Sequence, residues 1–305
     1  MQEALQKLRL PLHIKETRSS QPNTAEVLQW MTHAYVFEKE LCEKCAHLTR
    51  VVRAIGSGSV NPTGDPLKKV EYLIFEQADD DIRGHLDASE KLDILFLLRT
   101  LHGIAVGLSQ LHWAKIAHQD LKPSNVLVFG GEASKVCDLG RAWDQEKVAP
   151  HDSLKVAGDP AYAPIEAGYG YQSSDMKTRR FGCDLYHLGN LVVFLFSRLQ
   201  ITTLITANLA HEHRPGFWGE RYEDVLPYVQ ASFVLALGEF ASHVPDWLRQ
   251  ELVTAVGQLC DPDPRRRGHP RGPGSQRLNL QRYVSLFDLL ARRAKYGLYK
   301  ERFDA

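Results

Sequence analysis

The spacing of hydrophobic positions changes along the chain, and the front part contains both strands and a helix. Apolar residues at helical spacing predict a helix over residues 24–47. Alternating or short apolar runs at residues 10–15, 51–55 and 70–75 predict strands. Glycines and prolines in residues 56–66 predict a turn between the last two.

The remainder of the chain has mainly helical spacing. Residues 91–113 carry leucine and isoleucine on so many faces that this helix is predicted to be buried on several sides. Strand-like runs at residues 126–129 and 135–137 flank Gly130 and predict a hairpin, and residues 182–196 predict a second apolar helix. A small strand-containing front and a large helical back indicate an α+β fold.

Charge and composition exclude several classes of partner. Lys+Arg and Asp+Glu both number 37, so no net charge draws the chain to nucleic acid or an anionic membrane. The basic run at residues 264–271 is interpreted as a solvated loop, with nucleic-acid contact as the alternative. The most apolar run, residues 191–196, is too short to span a bilayer. Five cysteines and no signal peptide favour a cytoplasmic protein without disulfides.

Three polar segments carry candidate chemistry. They are His118-Gln119-Asp120-Leu121-Lys122-Pro123-Ser124-Asn125, then Asp138-Leu139-Gly140, then residues 158–166. Phosphoryl transfer requires a carboxylate that accepts the proton of the attacking hydroxyl, and Asp120 suits that role. Asn125 and Asp138 offer oxygen ligands for a divalent metal ion. Lys122 could neutralise charge that develops on the transferred group.

These segments resemble the motifs of the eukaryotic-type protein kinases. Residues 118–125 resemble the catalytic loop, with Gln119 in place of Arg, and residues 138–140 resemble Asp-Phe-Gly. Three more matches follow in the family's order: Ala163-Pro164-Ile165-Glu166 with Ala-Pro-Glu plus one inserted residue, residues 183–189 with the start of the central helix, and residues 263–267 with Asp-Pro-x-x-Arg.

The resemblance implies a bilobal fold. Residues 1–78 would form an incomplete N-lobe and the hinge, and residues 79–305 would form the C-lobe. It also implies that Asp184 braces the backbone of the catalytic loop, and that Glu166 and Arg267 form a buried ion pair.

The resemblance further implies how ATP would be held. Lys15 would bind the α- and β-phosphates, paired with either Glu38 or Glu40 of the first helix. At the hinge, the Glu76 carbonyl and the Ala78 amide would face adenine. Asp81 would be placed near the ribose.

The N-lobe departs from the family pattern because only 14 residues precede Lys15 and none of them is glycine. The glycine-rich loop and its two strands need more chain than this. Either residues upstream of Met1 supply the loop, or the phosphates are covered in another way.

Two further departures affect regulation and the catalytic site. Gln119 is neutral, so it cannot clamp a phosphorylated activation segment, residues 138–166, as Arg would. We therefore expect activity that is independent of phosphorylation there, with Ser153 as the candidate hydroxyl. Asp159 stands where serine/threonine kinases usually have Thr. Its carboxylate could pair with Lys122 but would repel Asp120.

The function that the sequence favours is an ATP- and Mg²⁺-dependent protein kinase acting on Ser/Thr hydroxyls of a protein substrate. Lys122, two residues after Asp120, resembles the serine/threonine class. A pseudokinase acting as a binding or scaffolding module is the first alternative, because of the missing glycine-rich loop. A small-molecule kinase of related fold is the second.

Overall fold

The structure, a computed structural model, describes residues 24–61, 69–88, 93–272 and 274–303. Lys15 and the strand predicted at residues 10–15 lie outside these ranges. The described part mixes helices and strands, with a small strand-containing N-lobe followed by a large helical C-lobe. The predicted α+β fold, with a small strand-containing front and a large helical back, is therefore confirmed.

The N-lobe contains one helix and one antiparallel strand pair. Helix α1 spans Thr24–Lys44, which confirms the predicted helix with an end three residues earlier. Strand β1 (Ala54–Val60) pairs with strand β2 (Val70–Phe75). Phe37 and Leu41 of α1 are buried in the hydrophobic core, so one face of the helix attaches it to the rest of the molecule.

The turn predicted over residues 56–66 was wrong at its start, because Gly56 and Gly58 lie within β1. A Cβ atom at Gly58 would lie 2.6 Å from the hydroxyl oxygen of Tyr72 on β2. Glycine at this position therefore makes room for the tyrosine ring rather than for a turn. The strand predicted at residues 51–55 begins later, at Ala54, and Val51 forms an isolated bridge with Val136 instead.

The C-lobe carries short strands around the catalytic loop and eight helices among the described residues. Strand β3 pairs with β5 and β5 with β6, and a separate pair joins β4 to β7. The strands are β3 (Asp80–Asp81), β4 (Ile116–Ala117), β5 (Val126–Phe129), β6 (Ala133–Val136) and β7 (Trp143–Asp144). The helices are α2 (Ile82–Asp87), α3 (Ile94–Trp113), α4 (Ile165–Gly168), α5 (Met176–Ser197), α6 (Ile201–Asn208), α7 (Tyr222–Ser242), α8 (Asp246–Leu259) and α9 (Gln281–Phe303), with 3-10 turns at Pro123–Asn125, His211–His213 and Gly274–Leu278.

Helix α3 lies at the centre of the C-lobe, as its hydrophobic pattern predicted. It packs against α9, α5 and strand β6. Leu101, Ile104 and Leu108 are completely buried, since neighbours cover the helix on several sides. By length and composition, α3 and α7 are both apolar enough to cross a membrane, and a third span would arise if α5 and α6 formed one.

Helix α5 begins at Met176, six residues before its predicted start. Asp175 caps it by accepting a hydrogen bond from the Thr178 amide at 2.8 Å. The predicted helix start missed this cap because the first turn contains charged residues, whereas the buried apolar stretch begins later.

The ion pair expected between Glu166 and Arg267 is confirmed. The two guanidinium NH groups of Arg267 donate to the two carboxylate oxygens of Glu166, each at 2.8 Å. Both side chains are buried. Arg267 also donates to the Asp261 and Gly182 carbonyl oxygens. The pair thereby connects α4 and α5 with the segment that follows α8.

Replacing Arg267 by alanine is expected to lower the melting temperature by several degrees. Removing one partner leaves the Glu166 carboxylate buried without a cation, which costs about 3–5 kcal/mol. Thermal unfolding checks this, with Arg266→Ala as the control because Arg266 is largely exposed. Equal melting temperatures for the two variants would contradict a structural role for the pair.

Candidate active site

The backbone of the catalytic loop is fixed by the carboxylate of Asp184, which is completely buried on α5. This carboxylate accepts hydrogen bonds from the amides of His118 and Gln119, both at 2.8 Å, and contacts His112 Nε2 at 2.8 Å. Although burial opposes ionisation, these groups hold the pKa of Asp184 below its ordinary value. Asp184 therefore braces the loop as expected.

Asp120 is held between the catalytic loop and the activation segment. Its Oδ1 accepts a hydrogen bond from the Asp159 amide at 2.6 Å, and Asn125 Nδ2 donates to its backbone carbonyl at 2.8 Å. A Cβ atom at Gly158 would lie 2.6 Å from Asp120 Oδ1, so only glycine permits this close approach. The segment thus orients the carboxylate expected to act as base.

Lys122 lies between two carboxylates. Its Nζ is 3.3 Å from Asp120 Oδ2 and 3.3 Å from Asp159 Oδ2. The lysine therefore offsets the repulsion between these acids that the sequence left unexplained. Burial is the main cause that raises the pKa of Asp120, and the nearby Asp138 carboxylate also raises it, whereas the Asp159 amide and Lys122 act in the opposite direction.

Asn125 and Asp138 present oxygen atoms near the base. Because the Asn125 amide nitrogen faces Asp120, its Oδ1 is the atom left for a metal ion. Asp138 adopts a left-handed backbone conformation with φ of 66°, and its Oδ1 accepts from the Gly140 amide at 3.2 Å. Such non-glycine conformations are concentrated at functional sites.

Two protein oxygen donors suit a magnesium site that is completed by substrate and water, rather than a site built only from protein ligands. In the described part of the chain, no group of three His, Cys, Asp or Glu side chains could hold a metal ion. Mg²⁺ is typically bound by one or two protein oxygens together with phosphate oxygens of a substrate and water. Asn125 and Asp138 match that pattern.

The geometry distinguishes the two candidate acids of α1. Glu38 faces Asp138 and Gly140: a Cβ atom at Gly140 would lie 3.2 Å from Glu38 Oε2. Burial, followed by the Asp138 charge, raises the pKa of Glu38 to about 7. Glu40 instead pairs with Lys147 of the activation segment at 2.7 Å. The structure therefore favours Glu38 as the helix carboxylate of the site, while Lys15 lies outside the described residues.

The hinge residues have separate structural roles for their side chains and backbone. The Glu76 side chain pairs with Lys135 at 2.6 Å and accepts from the Arg53 amide at 2.9 Å. Among the described residues, neither the Glu76 carbonyl nor the Ala78 amide makes a backbone–backbone hydrogen bond. Asp81 caps α2 by accepting from the Gly84 amide at 2.9 Å, a role the sequence interpretation had not included.

One residue near the site was missed by the sequence interpretation. Arg180, in the second turn of α5, is only 3% exposed, and its guanidinium contacts Gln119 of the catalytic loop. The sequence signal was a charged pair of arginines just before an apolar helix, which ordinarily indicates a solvated first turn. Nothing in that pattern showed that one arginine points inward.

The family assignment follows from comparison of the whole chain with known families. The sequence profile of the protein kinase domain matches residues 14–268. Because this match covers most of the chain and includes every element of the site described above, the chain belongs to the protein kinase domain family.

Several curated proteins are similar to parts of the chain. The serine/threonine-protein kinase/endoribonuclease IRE1 of Oryza sativa subsp. japonica is 27% identical over 56% of this chain and 16% of its own length. The serine/threonine-protein kinase par-4 of Caenorhabditis elegans is 32% identical over 34% and 18%, respectively. Mitogen-activated protein kinase 14 of Arabidopsis thaliana is 37% identical over 25% and 21%. The chain therefore matches about a fifth or less of each of these proteins.

Replacing Glu38 by glutamine is expected to raise the melting temperature at pH 8 but not at pH 5, without nucleotide or magnesium. Its pKa rises from 4.5 to about 7 on folding, so the folded protein loses stability as the pH increases through that interval. Glutamine removes this loss. Thermal unfolding at both pH values measures it.

The matched control is Glu40→Gln, because that carboxylate faces Lys147 and the variant should show no gain at pH 8. A lower melting temperature for Glu38→Gln at pH 8 would contradict the expectation. It would show that Glu38 is stabilised by a cation in the folded protein.

Proposed function

We propose that this protein is an active ATP- and Mg²⁺-dependent protein kinase that phosphorylates Ser/Thr hydroxyls of a protein substrate. The observation that carries the proposal is the convergence of Asp120, Lys122, Asn125 and Asp138 at one site. Asp120 is oriented by the activation segment, and Lys122 lies 3.3 Å from it. Family membership supports the reaction class.

The residues of the chain divide the work of phosphoryl transfer. Asp120 accepts the proton of the substrate hydroxyl and directs its oxygen toward the phosphorus atom. The Asp159 amide donates to Oδ1 of this carboxylate, and Lys122 lies 3.3 Å from its Oδ2, so the carboxylate is held in one orientation. Lys122 places positive charge next to Asp120, where the transferred phosphoryl group would pass.

Asn125 Oδ1 and the Asp138 carboxylate would hold the magnesium ion. When bound, that ion supplies positive charge that offsets the charge of the phosphates. At the hinge, the Glu76 carbonyl and Ala78 amide would bind adenine, with Asp81 near the ribose. On the N-lobe side, Lys15 would bind the α- and β-phosphates of ATP, with Glu38 as its partner.

Specificity for serine and threonine rests on Lys122 and on the names of the similar kinases. Two of the relatives above are described as serine/threonine-protein kinases. The pseudokinase alternative retains the same fold and predicts nucleotide or protein binding without turnover. Intact carboxylates at positions 120 and 138 favour activity.

Partners and location remain part of the proposal. The balanced charge of the chain favours a protein substrate over nucleic acid. The apolar surface of α3 is packed within the C-lobe, and α7 buries one face against α6 and α8, so the fold uses both helices as packing elements. We therefore propose a cytoplasmic enzyme without a membrane partner.

Replacing Asp138 by asparagine is expected to reduce magnesium-dependent phosphotransfer by about 100-fold or more. The change removes a charged metal ligand while preserving the side-chain volume, and a 100-fold loss corresponds to about 2.7 kcal/mol on the barrier. Transfer of labelled phosphate to a protein substrate measures it. Asp224→Asn, an exposed change on α7, is the control. An undiminished rate in Asp138→Asn would exclude the proposed metal role.

The phosphorylated products are expected to be phosphoserine or phosphothreonine. Lys122 adjacent to Asp120 motivates this specificity, and phosphoamino-acid analysis of labelled substrate measures it. Lys122→Met should reduce the rate while leaving residual labelling on the same residue types. Mainly phosphotyrosine would contradict the assignment, whereas nucleotide binding without any labelled product would favour the pseudokinase alternative.

A further inference from the structure

Arg180 joins the activation segment to the catalytic loop through its two terminal nitrogens. Its Nη1 donates to Gln119 Oε1 at 2.6 Å. Its Nη2 donates to Asp152 Oδ1 at 3.2 Å and to the Asp152 carbonyl at 3.3 Å. The three side chains belong to three separate parts of the fold: the catalytic loop, the activation segment and helix α5.

Both ends of this chain of contacts are themselves fixed. Gln119 Nε2 donates to the Arg141 carbonyl at 3.0 Å, and the backbone amide of Gln119 donates to the Asp184 carboxylate. Asp152 Oδ2 accepts from the Ala149 amide at 2.8 Å. Arg180 is therefore connected to the activation-segment backbone at two places: at Arg141 through Gln119, and at Ala149 through Asp152.

Gln119 provides a neutral hydrogen-bond acceptor for the buried guanidinium of Arg180. Arg180 is 3% exposed, and in the described residues its Nε has no hydrogen-bond partner, so its charge depends on Asp152 and on the side-chain oxygen Oε1 of Gln119. A buried guanidinium without an acceptor or anion is costly. An arginine at position 119 would place a second cation against Arg180. A neutral acceptor is the side chain that this environment requires.

The activation segment must be placed correctly for the site to work. Its Gly158 and Asp159 approach Asp120, and the Asp159 amide orients the carboxylate at 2.6 Å. Further along, the Tyr162 hydroxyl accepts from Arg83 of α2 at 2.8 Å. An attachment at Asp152 therefore stabilises the part of the segment that leads directly into the catalytic site.

We propose that Asp152, Arg180 and Gln119 form a positioning relay, a permanent ion pair and hydrogen bond that hold the activation segment on the catalytic loop. The carboxylate of Asp152 supplies the anion for this attachment, so that the segment needs no phosphate to be ordered. Asp152 and Arg180 are positioning residues and do not contact the reacting atoms. The inference rests on the proposed kinase activity, although the attachment itself is measurable without it.

The experiment compares phosphatase-treated wild type with Asp152→Ala, Arg180→Met and the double variant. Each single change is expected to reduce kcat/KM for a peptide or protein substrate by about tenfold or more, whereas KM for ATP changes less than about twofold. The double variant should lose little beyond the worse single one, because both changes remove one interaction. Lys177→Met, an exposed lysine on α5, is the control.

Hydrogen exchange separates a failure of the relay from a failure of the proposed function. Amides of residues 145–159 should exchange faster in Asp152→Ala than in wild type, by a larger factor than amides elsewhere in the C-lobe. The melting temperature should also fall, because Arg180 stays buried without its anion. This readout requires no activity. Asp152 is 23% exposed, so its substitution tests the relay even if Arg180→Met does not fold.

Ser153→Ala should keep the rate within about threefold, which is roughly 0.7 kcal/mol on the barrier. The relay would be overturned by unchanged exchange and unchanged kinetics in Asp152→Ala. It would also be overturned if phosphatase treatment abolished wild-type activity and Ser153→Ala reproduced that loss. If wild type transfers no phosphate but exchange in Asp152→Ala increases, the relay stands and the proposed function fails.

Discussion

The buried carboxylate of Asp184 is the interaction on which the catalytic part of the molecule depends. Burying a negative charge is unfavourable unless hydrogen bonds replace the lost water. Here two consecutive amides of the catalytic loop and the ring of His112 provide them. The amides of His118 and Gln119 directly follow strand β4, so the backbone leading into Asp120 has a fixed direction. Helix α5 thus sets the position of the base through Asp184, which contacts no reacting atom.

The charges around Asp120 are arranged in a way that depends on burial. Two carboxylates, those of Asp120 and Asp159, face one lysine, and a third carboxylate on Asp138 lies close enough to raise the pKa of Asp120. In water such an excess of negative charge would be screened, whereas in a partly buried site it persists. The described site is therefore rich in negative charge, which suits the binding of a divalent cation.

Several elements were predictable because their information is local. The apolar stripe of α3 specifies a buried helix, and Gly130-Gly131 between two short strand-like runs specifies the β5–β6 hairpin. The pairing of Glu166 with Arg267 was also predicted, although 101 residues separate them. That pairing came from resemblance to a family, since charge and spacing in one sequence do not identify partners at such a distance.

The amino-acid sequence by itself thus determined the elements whose burial is visible as a hydrophobic period, and the residue types able to carry phosphoryl transfer. Only the tertiary structure decided which polar side chains meet. Gly58 lies in a strand because Tyr72 from the next strand covers it, and Glu38 rather than Glu40 faces Asp138 because of the rotation of α1. Arg180 is buried because the activation segment folds over α5. Such contacts join residues far apart in the chain, and local periodicity carries no information about the direction from which a distant segment arrives.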